Sequence, residues 1–191
     1  MEKEFGRLAV IFPGVGYHTD KPLLYYGKKL AKTEGFQIMD VSYGGFPGNI
    51  KGSRTKMEEA FFSARAQTED ILQKIDFKIY EKILFISKSI GTIVAADYAG
   101  HHEIDAYQIY FTPLEDTFRF ARKGREIMFH GTSDPWAETE MVRNRCHDMD
   151  IPLFETEGAN HSLETGNVIK DLKNMETVMK HCQEYLHLIS L

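Results

Sequence analysis

Three short segments of the chain carry residue types that could do covalent chemistry together. Ser87-Lys88-Ser89-Ile90-Gly91 sets a serine between small residues two positions before and two positions after it. His130-Gly131-Thr132-Ser133-Asp134-Pro135-Trp136 offers a carboxylate, and Gly158-Ala159-Asn160-His161-Ser162-Leu163 offers an imidazole. A serine hydroxyl is a poor nucleophile at neutral pH and needs a base within hydrogen-bond reach. Histidine serves as that base when a carboxylate holds its ring. A small-x-Ser-x-Gly segment between a strand and a helix makes a strained turn that lifts the serine above a sheet edge, and acid then histidine follow it in chain order. The bland alternative is that Ser89 only caps the helix after it. Ser87 stands where glycine is usual, a departure tolerable on size.

These segments can meet only if the surrounding elements bring them to one edge. Leu8 to Phe12 reads as a strand stopped by Pro13-Gly14, and residues 21–33 read as a helix with Asp20 as its N-cap. Phe36 to Ser42 is a second strand, followed by a loop from Tyr43 to Thr55 with four glycines and one proline. Met57, Ala60, Phe61, Ala64, Thr68, Ile71, Leu72 and Ile75 recur at helical steps. Ile83 to Ile86 is a near-continuous apolar run, as expected for a strand covered on both faces. A helical stripe from Ile90 to Tyr98 follows it directly. Strands at Ala106–Phe111, Glu126–Phe129 and Leu153–Thr156, and helices at 136–147 and from Val168 to Ile189, complete the alternation. Strand–helix alternation of this kind predicts an α/β fold: a three-layer α/β/α sandwich with a mainly parallel sheet of about six strands. Ligands bind beyond the carboxyl ends of such strands, and all three chemical segments fall there.

Taken together, "SKSIG", "HGTSDPW" and "GANHS" resemble the nucleophile, acid and histidine loops of the α/β-hydrolase superfamily. The resemblance runs from residue 7 to about residue 189. It implies Ser89 as nucleophile, Asp134 as acid and His161 as base. It further implies a minimal member of one domain, 1–191, without the first two strands and without a cap domain, since about a dozen residues separate the fourth and fifth strands. The expected oxyanion donors are the backbone of Ile90 and of Val15, with Gly16 as alternate; Pro13-Gly14 replaces the His-Gly often found there. Tyr17, His18, Phe46, Lys88 and Trp136 are candidate substrate-binding residues, each also readable as packing. Lys88 could instead pair with a carboxylate under the turn. The implied activity is hydrolysis of a small-molecule carboxylic ester or thioester through an acyl-enzyme, with no metal or organic cofactor. An open site would favour small or accessible acyl groups.

Other readings carry less. Gly14-x-Gly16-x-x-Thr19 followed by Asp40 mimics a nicotinamide-dinucleotide fingerprint, but the third glycine is missing and the acid and histidine loops go unused. The α/β-hydrolase fold could also serve as a binding module with an idle triad, because fold does not imply function. His101-His102-Glu103 resembles a metal cluster but lacks ligand spacing and should lie at the opposite sheet edge. Asp116 is the rival acid. The chain has 191 residues, 42% hydrophobic and 27% charged, which excludes a disordered or fibrous protein. Its 23 basic and 28 acidic residues give a net charge of −5 with no basic run, so no nucleic-acid partner is expected. Cys146 and Cys182 are too few for a disulfide scaffold. No apolar run approaches the ~18 residues of a membrane span. The start, Met1 to Phe5, carries acids with no apolar run of leader length after it and does not read as a secretory leader, so a cytoplasmic location is expected.

Overall fold

A computed structural model of the chain describes residues 6–191. The expectation about a secretory leader at Met1–Phe5 lies outside the described residues. Six strands, β1 (Gly6–Phe12), β2 (Phe36–Asp40), β3 (Tyr80–Lys88), β4 (Ala106–Phe111), β5 (Glu126–Gly131) and β6 (Leu153–Thr156), form one sheet in the order β2-β1-β3-β4-β5-β6. Every pairing is parallel. Five α-helices connect or follow them: α1 (Pro22–Thr33), α2 (Arg54–Leu72), α3 (Ile90–His101), α4 (Thr139–Asp148) and α5 (Val168–Ser190).

The three layers follow from the two-residue period of a strand. Ala9 and Ile11 of β1, with Leu84 and Ile86 of β3, pack against Leu23, Leu24 and Ala31 of α1 and Val178, Cys182 and Leu186 of α5. Leu8, Val10 and Phe12, with Ile83 and Phe85, point the other way onto Ala64 and Leu72 of α2 and Val94, Ala95 and Tyr98 of α3. Tyr110 and Met128 extend that second face over Val142 and Cys146 of α4. Both faces are covered, which is why the central strands read as unbroken apolar runs rather than alternating ones.

The strand order reverses direction between β1 and β3, so a crevice opens at their carboxyl ends. Two helix starts differ from the sequence reading. Asp20 does not cap α1: Lys21 occupies the N-cap without a side-chain bond, Pro22 opens the helix, and Asp20 instead pairs with Lys28 at 3.0 Å. Proline at the first helical position has no N–H to satisfy, and the next amide, of Leu23, donates to the Tyr17 hydroxyl at 3.1 Å, which takes the place of a cap. Helix α4 begins at Thr139 and not at 136: the Trp136 amide donates to the Asp134 carboxylate at 2.9 Å, and Glu138, with extended backbone, takes the N-cap position. Between β4 and β5 lie only residues 112–125, with a short 3₁₀ turn at Glu115–Arg119.

Candidate active site

Strand β3 ends at Lys88 and helix α3 begins at Ile90, so Ser89 alone makes the turn. Its backbone sits at φ 57° and ψ −126°, a region where non-glycine residues cost roughly 1–3 kcal/mol and persist only when the surroundings impose them. The surroundings are visible. The Ser89 amide donates to the Phe111 carbonyl at 3.0 Å, and Thr92 N–H and Oγ1 both donate to the Ser89 carbonyl, at 2.9 and 2.6 Å. A Cβ on Gly91 would lie 2.5 Å from the Pro13 carbonyl oxygen and 2.6 Å from that of Phe12. Only glycine lets α3 start this close to the end of β1. The bland reading of Ser89 as a helix cap finds no support, since its side chain makes no capping hydrogen bond.

The Ser89 hydroxyl is 2.7 Å from His161 Nε2, and His161 Nδ1 is 2.7 Å from Asp134 Oδ2. The second Asp134 oxygen accepts from the Trp136 amide at 2.9 Å. The Asp134 side chain is fully buried and that of His161 is 14% exposed. The two loops that carry them are tied together. Ser133 N–H donates to the Ala159 carbonyl at 2.9 Å, and Gly158 N–H donates to Thr132 Oγ1 at 2.8 Å. A Cβ on Gly131 would overlap the Ala159 carbonyl, so this loop pairing also needs a glycine. Trp136 stacks on His161, with ring centroids 5.3 Å apart and planes at 25°. Burial pushes the His161 pKa below its ordinary value; the Asp134 hydrogen bond opposes this and the positive charge of Lys88 reinforces it. The ring is therefore held neutral at neutral pH, the state in which Nε2 can accept a proton.

Val15 and Gly16 form the tip of a tight turn closed by Gly14 N–H to the Tyr17 carbonyl, 3.0 Å, and Tyr17 N–H to the Gly14 carbonyl, 3.1 Å. Neither tip amide is used in closing it. Ile90 is the first residue of α3, so its N–H has no acceptor within the helix. Val15, Ser89, Ile90, Trp136 and His161 line one cavity of about 320 Å³. Gly16 does not; it lines an adjoining pocket of about 310 Å³ together with Tyr17, His18 and Phe46.

The remaining candidates are thus divided. Trp136 lies in the serine's cavity. Tyr17 is buried in the core, where its hydroxyl accepts from Leu23 N–H at 3.1 Å. His18 is exposed, and its Nδ1 accepts from the Asp20 amide at 3.3 Å. Phe46 packs against Tyr43, centroids 5.8 Å apart, and onto the apolar clusters of the α2 face. Lys88 is 2% exposed and forms none of the ion pairs found among the described residues; its ammonium lies 4.9 Å from the Tyr17 ring centroid. Asp116 is exposed and pairs with Arg119 at 3.3 Å. Asp40, the mimic of a ribose-binding acid, accepts from Lys28 and Thr19 at 2.8 and 3.1 Å. At the far sheet edge, ligand atoms of Glu69, His101 and His102 lie within 4.8 Å of one another, and His102 Nε2 is 2.8 Å from Glu69 Oε2.

The opposite wall of the serine's cavity comes from Pro47 to Lys51 and from Met57. The sequence reading assigned none of these residues to the site and placed Met57 only on a helical stripe. The available signal was positional: the glycine-rich loop follows a strand, which puts it on the ligand edge.

No family model and no curated protein matches the chain by sequence. Solved structures do match by shape. Est1E of Butyrivibrio proteoclasticus with ferulic acid bound aligns at TM-score 0.67 and 12% identity, over 96% of this chain and 89% of that one. A lid-less α/β serine hydrolase of Xanthomonas campestris aligns at TM-score 0.63 and 10% identity, over 95% and 81%. Esterase 2 of Thermogutta terrifontis aligns at TM-score 0.62 and 18% identity, over 99% and 86%. These likenesses establish the α/β-hydrolase fold for this chain. Among the described residues, no helix is long and apolar enough to cross a membrane.

Proposed function

We propose that the protein is a serine hydrolase that cleaves a carboxylic ester or thioester through an acyl-enzyme. One observation carries the reading: the unbroken relay from Ser89 Oγ through His161 to Asp134, with both hydrogen bonds at 2.7 Å. Fold alone would not justify it; the esterases and hydrolases among its structural neighbours add weight.

In the first step Ser89 Oγ attacks the substrate carbonyl carbon while its proton passes to His161 Nε2. Asp134 holds the ring and stabilises the imidazolium. The carbonyl oxygen becomes an oxyanion, and the amides of Ile90 and Val15 are its proposed donors. As the tetrahedral species collapses, the bond to the alcohol or thiol breaks and His161 returns the proton to the leaving group. A water then attacks the acyl-serine with His161 again as base. The carboxylic acid leaves and the Ser89 hydroxyl is restored. Trp136, stacked on the imidazole, limits the orientations of the ring through both steps.

Intact mass after incubation with a fluorophosphonate, on wild type and Ser89→Ala, tests this. One adduct on wild type and none on the variant is expected. An unmodified wild type, under conditions in which known serine hydrolases react fully, would favour a binding module built on the same fold.

A further inference from the structure

A second cavity, of about 460 Å³, lies beside the one that holds Ser89. Its apolar lining is Met57, Phe61, Phe62, Ile93 and Phe120. Met57 lines both cavities. Each volume falls within the range of about 300–1,000 Å³ typical of small-molecule sites. Apolar side chains join the two linings. Ile50, Ile90 and Trp136 from the serine's side, and Ile93, Phe61 and Phe120 from the other, belong to one apolar cluster that also includes Met57. Methionine is unbranched and flexible, a side chain that can shift to let a chain pass. Phe62 is 62% exposed, so a large ring faces solvent at this cavity with no protein covering it.

The charges around the second cavity cancel. Arg54 pairs with Glu58 at 3.0 Å, Arg65 with Asp97 at 2.6 Å and Arg119 with Asp116 at 3.3 Å. An anionic or cationic tail would find its counter-charge already taken, whereas an uncharged tail meets aromatic rings. Length is set by α2. Met57, Phe61 and Arg65 follow one another at four-residue steps, so the cavity runs about 12 Å along the helix beyond Met57. An extended chain advances about 1.2 Å per bond, so roughly ten bonds are needed to span it.

We infer that this cavity receives the acyl chain of the substrate, and that the preferred substrates are esters or thioesters of uncharged, unbranched acyl groups of about ten carbons or more. The inference rests on Ser89 being the acyl acceptor proposed above. The acyl group is the part that stays bound through both chemical steps, so binding it in register serves each of them, whereas the leaving group departs midway. The short-acyl preference expected from an open site is thereby replaced by a long-acyl one.

Trp136 is the one tryptophan in the chain and lines the serine's cavity, so its emission reports occupancy without turnover. Ethyl butyrate and ethyl decanoate are titrated against Ser89→Ala. The decanoate should bind about ten-fold tighter or better, given the gain per buried methylene. Adding Phe62→Asp, which puts a carboxylate at an exposed position, or Met57→Phe, which narrows the junction, should cut that advantage to about three-fold or less. Thermal melts check that both variants fold. In parallel, the ratio of kcat/KM for 4-nitrophenyl decanoate over acetate is measured with Ser89 intact, and it should fall in both variants. Equal binding of the two esters, or an advantage that survives in both folded variants, overturns the inference. Chain-length-dependent binding without turnover of any ester would overturn the hydrolase reading and leave the acyl cavity standing.

Discussion

The ammonium of Lys88 lies 4.9 Å from the centroid of the Tyr17 ring, one residue before the serine and 2% exposed. A second lysine, Lys21, approaches the same ring at 5.3 Å. Burial lowers the Lys88 pKa to about 7; Lys21 pushes in the same direction, while Asp134 and Glu164 push it up. Lys88 therefore carries its charge in acid and loses it near neutrality. While charged, it disfavours a second positive charge on His161. Lys88→Met removes that repulsion, so the acid limb of kcat/KM against pH should move to higher pH. A profile of unchanged position in the folded variant would mean that Lys88 does not act on the imidazole electrostatically.

The strained backbone of Ser89 separates stability from activity. At φ 57° a side chain is a liability and glycine is not. Ser89→Ala keeps the Cβ and should have near wild-type stability, whereas Ser89→Gly should be more stable than Ser89→Ala by about 1 kcal/mol. Both lose turnover. Urea denaturation of the two variants decides it, and a glycine variant no more stable than the alanine one would show that the turn is unstrained.

Gly91 sets the turn at Ser89 against the loop after β1. Its missing Cβ would approach two carbonyl oxygens, of Pro13 and Phe12, within 2.6 Å. Because those atoms are backbone, the strain cannot be relieved by a rotamer change. Gly91→Ala should destabilise by about 1–3 kcal/mol, the usual range for overpacking. It should also displace the Val15 turn, lowering kcat more than it raises KM. Full activity together with unchanged thermal stability would contradict the close approach.

What the sequence made legible was whatever depends on local pattern. Ile83–Ile86 running into Ser89 and a helix was enough to place the strained turn, because strand, turn and helix are contiguous there. Strand-end logic placed Asp134 and His161 on the same edge as Ser89, and the parallel sheet puts them there. Side-chain direction was less legible. Tyr17, His18 and Phe46 stand on loops at the correct edge, yet they line the neighbouring pocket, since the tight turn at 14–17 carries Tyr17 back into the core beside Leu23. The charged residues were legible in type but not in partner: Asp20 looks like a cap and is taken by Lys28 across the first turns of α1. Pro47–Lys51 and Met57 wall the serine's cavity through an irregular loop, for which no periodicity exists to read.

A buried carboxyl far from the chemistry makes the last prediction. Glu126, at the start of β5, is 3% exposed; Oε1 accepts from the Arg122 amide at 2.7 Å and from the Tyr110 hydroxyl at 3.0 Å, while Oε2 has no partner. Burial raises its pKa from 4.5 to about 7, against the lowering effect of those two hydrogen bonds. The folded protein therefore holds a proton there that the unfolded chain has lost between pH 4.5 and about 7. Where the native state binds more protons, stability falls as pH rises. This group's destabilisation is thus absent below pH 4.5, grows through the window and is complete above about pH 7. A shift of this size corresponds to about 3 kcal/mol. Glu126→Gln keeps an oxygen acceptor for Arg122 and Tyr110 and cannot ionise. Its melting temperature relative to wild type should rise from pH 5 to about pH 7 and level off above that. A difference independent of pH would show that Glu126 ionises normally in the folded state.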